Sequence, residues 1–221
     1  MKRIVFLFLA AVFTASYAQA QIKIGARAGF NFTNLSKEVS GFTPEGTPNG
    51  KVLLGMQFGL LVEYAFTEEL SAQSGLLFSA QGCRYKYSMK YKGYDADYKE
   101  TARLNYLQIP INAQYKVDLG DKKLLLHAGP YIGVGINGIS KWELKYDGKS
   151  DSSEDEILGP NDDEPIKEGD FGFGIGVGLQ FDNIRYGLEY KRGLTNISRV
   201  ESSTIKNYGF ALTVTYMFGK K

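Results

Sequence analysis

The chain has 221 residues, enough for one sizeable domain, and its 26 Lys and Arg stand against 24 Asp and Glu, so the strongly basic surface of a nucleic-acid binder is absent. One Cys and one His exclude an intramolecular disulfide and leave Cys- or His-built metal centres short of ligands. A mean hydropathy of -0.22 does not argue against a membrane, because half of every barrel strand faces away from lipid.

The N-terminus reads as a secretory signal: Lys2 and Arg3 form a basic region, Ile4 to Ala15 an apolar one, and Ala18-Gln19-Ala20 a small-residue cleavage site. The expected division is residues 1–20 as signal peptide and residues 21–221 as the mature domain, beginning at Gln21. The apolar stretch is too short to span a bilayer as a helix, and no longer one follows, so membrane residence would be by strands.

From Ile22 onward the chain alternates apolar and polar residues in about eight runs. Ile22 to Thr33 sends Ile24, Ala28 and Phe30 one way and Lys23, Arg27 and Asn31 the other. Val52 to Phe66 repeats this with Leu54, Phe58 and Leu60 against Gln57 and Glu63, and a third run covers Leu70 to Tyr87. In the fourth, Leu104 to Val117, Leu107, Ile109 and Ile111 oppose Gln108, Asn112, Gln114 and Lys116; Pro110 removes a ladder donor there and predicts a bulge or local edge. Leu124 to Asn137 sends His127 and Tyr131 to the polar side, and Phe171 to Phe181 sets large apolar residues against four glycines. After a two-residue turn at Asp182-Asn183 come Ile184 to Lys191, with Arg185, Glu189 and Lys191 on the polar side, and Tyr208 to Phe218.

One face of each strand is greasy and aromatic, while the other collects Gln, Asn, Lys, Arg and Glu, which no soluble core would gather. Lipid outside and a polar lumen inside explain both faces. Connections alternate between long (Asn34 to Lys51, Ser88 to Arg103, Gly138 to Asp170, Arg192 to Ile205) and short (Thr67 to Glu69, Asp118 to Lys123, Asp182-Asn183). The expected fold is therefore all-β: a transmembrane antiparallel up-and-down barrel of about eight strands, in the outer membrane, with both mature termini in the periplasm.

Several strings resemble the PorT-like outer-membrane β-barrel family, small barrels of Gram-negative envelopes: Gly25-Ala26-Arg27-Ala28-Gly29-Phe30-Asn31, Tyr106-Leu107-Gln108-Ile109-Pro110-Ile111, Ala128-Gly129-Pro130-Tyr131-Ile132-Gly133, Asp170-Phe171-Gly172-Phe173-Gly174 and Gly193-Leu194-Thr195-Asn196-Ile197. The resemblance spans the mature chain and implies a location more than a role. The name-giving member is linked to secretion and maturation of exported proteases, and the likeness carries no active site with it.

Function must then come from the lumen or the loops. Lys23, Arg27, Glu63, Lys116, His127, Arg185, Glu189 and Lys191 are expected to form an ionic cluster that fills the lumen, since buried charges must be paired. His127 has no Ser-His-acid arrangement around it, Gly133 to Gly138 matches G-x-G-x-x-G without a following helix, and no enzyme or cofactor is expected. Residues Lys141 to Asp170 hold eleven acidic and four basic residues without calcium-loop spacing and read as a solvated, mobile loop. Arg84, Lys86, Lys90 and Lys92, interleaved with tyrosines, either meet lipopolysaccharide phosphates or stand as solvated lysines in an aromatic girdle. The reading is a monomeric structural or interaction protein whose partners are outer-membrane lipid and lipopolysaccharide. A narrow porin-like channel and an accessory part in secretion are the alternatives.

Overall fold

The computed structural model describes residues 22–39, 50–91, 93–159 and 164–219. The expected signal peptide lies outside them, as do Lys92, Asp162 and Asp163. Among the described residues there are nine strands and no helix: β1 (Ile22–Val39), β2 (Lys51–Ala65), β3 (Leu70–Tyr91), β4 (Tyr94–Asp118), β5 (Lys123–Tyr146), β6 (Lys149–Leu158), β7 (Gly169–Phe181), β8 (Ile184–Gly193) and β9 (Ser203–Phe218).

All the ladders pair antiparallel, and eight strands close a ring in the order β1-β2-β3-β4-β5-β7-β8-β9, with β9 returning to β1 and β4 to β5. Closure leaves every backbone group of the wall a partner without water, which a bilayer demands. Register follows side-chain parity. Arg27 pairs with Gly59, Gln57 with Gly29 and Tyr131 with Gly172, so long lumen residues lie beside missing ones. Outward residues such as Phe30, Leu60 and Leu212 are more than half exposed and form the lipid-facing belt. Aromatic pairs Tyr64–Phe66, Phe181–Tyr186 and Tyr216–Phe218 gather at the rim that carries the short turns, as in an interfacial girdle. Ile22 and Phe218 lie on that same rim.

Three expectations need correction. Pro110 causes no bulge: the β3–β4 register is the same on both sides of it, from Ser74↔Ile111 to Leu77↔Gln108, and the irregularity in β4 lies at Asn105/Tyr106 instead. The expected long connection Ser88 to Arg103 is a hairpin, since β3 runs on to Tyr91 and β4 starts at Tyr94. The acidic stretch is likewise mostly strand among the described residues, because Lys141 to Tyr146 continues β5 and Lys149 to Leu158 forms a ninth strand, outside the ring. Asp147 and Gly148, both with positive φ (46° and 69°), make the two-residue turn between them.

β5 therefore uses one edge twice, pairing with β7 from Lys123 to Val134 and with β6 from Gly138 to Tyr146. β4 has 25 residues, which at ~3.4 Å each and barrel tilt reach roughly 60 Å along the axis, against ~25 Å for an apolar belt. The upper parts of β3, β4, β5 and β6 thus stand clear of the belt as a four-stranded sheet.

Candidate functional site

The lumen is occupied by three polar tiers. Lowest, near the short-turn rim, Glu63 is 0 % exposed and pairs with Lys116 Nζ and Arg185 Nη1, each at 2.5 Å, while Gln114 donates to it at 2.9 Å. These groups come from β2, β4 and β8, so one carboxylate ties together three parts of the wall. In the middle tier Glu189 faces Arg27 at 3.8 Å, His127 Nε2 at 3.7 Å and Lys191 Nζ at 3.6 Å. Arg27 also donates to Thr215 and Gln73. A packed carboxylate with cations on several sides suits a plug.

Seven of the eight expected lumen charges are thus drawn into two clusters, each around one glutamate. Lys23 departs from the expectation. It lies opposite Glu63 in register yet is exposed and forms no ion pair among the described residues, because Lys116 and Arg185 already fill both carboxylate oxygens. It lines instead a vestibule of about 380 Å³ at the short-turn rim, with Lys122, Lys123 and Arg185.

The upper tier was not expected. Tyr131 Oη (3.1 Å) and Asn207 Nδ2 (3.0 Å) donate to the buried Asp170 carboxylate, and Asn207 also reaches Tyr106. Lys191 donates to Gln108 at 3.3 Å. The Tyr131 ring lies against Gly172, where a Cβ would meet its Cε1 at 2.5 Å, so that glycine is required by the ring. A cavity of about 10 Å³ beside Asn31, Tyr131 and Asn207 has room for one water at most. Asn31, Tyr106, Gln108, Tyr131, Asp170, Gly172 and Gly193 all come from the five strings singled out in the sequence, which therefore converge here.

Above this tier the lining turns apolar. Leu35, Cys83, Ala102, Leu104, Tyr106, Leu158, Ile166 and Ile197 form one buried cluster, drawing in Tyr85, Ile157 and Ile205. Leu158 ends β6, and Ile166 bridges both to it and to Ser198, which places these described residues above the polar tiers.

The protruding sheet has two unlike faces. The face continuing the lumen side carries Tyr85, Tyr87, Tyr98, Trp142 and Tyr146, with Tyr87 and Tyr98 packed at 4.9 Å. The opposite face carries Arg84, Lys86, Lys90, Lys99, Lys141 and Lys145. Lys86 and Lys90 are exposed and Arg84 is half-buried. Lys99 donates to Glu143 at 3.1 Å and holds its carboxyl below the usual value, with Lys145 and Lys141 adding to the effect. Among the described residues no group of three or more His, Cys, Asp or Glu could hold a metal ion. The Gly133 to Gly138 string lies within β5, ending in the β4–β5 bulge.

A closed eight-stranded ring with an apolar exterior and a polar interior defines the class, an integral outer-membrane β-barrel. The chain belongs to the outer membrane protein beta-barrel domain family, which it matches over residues 17–199. No curated protein matches its sequence. Among solved structures it is similar to Ail, the attachment invasion locus protein of Yersinia pestis (14% identity, 89% of this chain and 99% of that one, TM-score 0.31). Others are Neisserial surface protein A (14% identity, 89% and 97%, TM-score 0.38) and the outer membrane enzyme PagL (12% identity, 87% and 98%, TM-score 0.41).

Proposed function

We propose that this protein is exported by its N-terminal signal and acts as a structural or interaction protein. Both mature termini then lie in the periplasm and the β3–β6 sheet at the cell surface. The observation that supports the reading is how the described residues fill the lumen, three polar tiers with an apolar cluster above them, while the largest ordered feature beyond the belt is the sheet. The same observation argues against the narrow-channel alternative. The five strings that carry the resemblance to the PorT-like family converge on the upper tier, and a part in secretion is a second reading that rests on that resemblance alone.

Orientation is tested by cysteine labelling, since the chain's one cysteine, Cys83, is 0 % exposed. On intact cells a membrane-impermeant maleimide should label Ser152→Cys in β6, and should label Asp121→Cys in a short turn only after the outer membrane is permeabilised. The reverse pattern would invert the topology.

A further inference from the structure

We propose that the lysine-lined groove on the outer face of the β3–β6 sheet binds the phosphates of outer-leaflet lipid headgroups. The groove has a volume of about 540 Å³ and is lined by Lys51, Lys86, Lys99 and Lys145, with Asp97 and Glu143 as its carboxylates. Register explains it: Lys86, Lys99 and Glu143 lie side by side across three strands, and so do Ser88, Asp97 and Lys145. Both carboxylates are engaged, Glu143 by Lys99 and Asp97 by the Ser88 hydroxyl at 2.8 Å. Lys51, Lys86 and Lys145 form no ion pair among the described residues, so four cations face two anions and the groove has an unmet demand for negative charge. Arg84, paired with Lys51, adds a buried Nε without a partner.

Height selects the source of the phosphate. Leu54, 54 % exposed, is a lipid-facing residue near the upper end of β2, and Lys51, which shares the face of Arg84 beyond the β2–β3 irregularity, comes three residues further on. The groove therefore begins where the apolar belt ends, the level of headgroup phosphates. Ammonium groups serve as point charges for such phosphates, and adjacent strands space them ~4.8 Å apart. The inference rests on the orientation proposed above, with the sheet outside.

The test uses the purified, folded full chain in neutral detergent, with bisphosphorylated lipid A and its dephosphorylated counterpart as probes and bound lipid counted by native mass spectrometry. The expected result is about tenfold greater retention of the phosphorylated lipid, lost in the triple variant K51E/K86E/K145E and kept in K122E/K123E at the opposite rim. An electrophoretic shift on heating verifies that each variant is folded, and single reversals replace the triple if it is not. Equal retention of the two lipids, or a preference that survives the reversals, overturns the proposal. So does displacement of the lipid by millimolar inorganic phosphate, which would mark a free-anion site. If Ser152→Cys is instead labelled only after permeabilisation, the orientation fails, a result distinct from any of these.

Discussion

At the residue scale the decisive group is Glu63. Its carboxylate, one charge against two, pairs with both Lys116 and Arg185, so removing it leaves two cations without their anion, at a cost of about 3 to 5 kcal/mol for a broken buried pair. Glu63→Ala should lower the temperature at which the barrel loses its heat-modifiable mobility, whereas Glu68→Ala, in an exposed turn, should not. Equal midpoints would deny the lower tier a structural role. Tyr131→Phe poses a milder question: Asp170 loses one of two donors, and ~1 to 3 kcal/mol should follow for a buried acceptor left half satisfied. The sequence shows which side chains enter the lumen, because parity decides that. It does not show their partners: Glu63 meets Arg185 across 122 positions, while Lys23, its register neighbour, forms no ion pair among the described residues.

At the element scale the ring and the sheet are separable. β6 takes no part in closure, and its hairpin depends on Asp147 and Gly148 at positive φ. Gly148→Val places a β-branched residue where left-handed backbone costs roughly 1 to 2 kcal/mol. Faster hydrogen exchange in Ser150 to Glu156 is expected, with exchange in β8 and β9 unchanged; uniform acceleration would show that sheet and barrel unfold together. The eight wall strands were legible because lipid and lumen impose strict alternation. β6 was not, since Ser150-Asp151-Ser152-Ser153-Glu154-Asp155-Glu156 has no apolar face, and its one local signal, the Asp-Gly turn, lay within a stretch whose charge suggested solvation. The extension of β3 and β4 was missed for a related reason: beyond the membrane no apolar phase is imposed, and Lys and Tyr alternate by face instead of by hydropathy.

At the scale of the whole molecule the account is of a wall without a passage. The lower tiers fix the barrel through ion pairs that span the lumen, the upper tier fixes it through Asp170 and its tyrosine, and an apolar cluster lies above them where the sheet begins. The proposed lysine groove lies outside the lumen, on the protruding sheet. The most direct test is electrical. Purified protein, shown to be folded by its heat-dependent mobility, is inserted into a planar bilayer at high salt and its current recorded. The account predicts a trace indistinguishable from the protein-free membrane. Reproducible stepwise conductance from the unaltered chain would contradict the sealed lumen and make the channel its function.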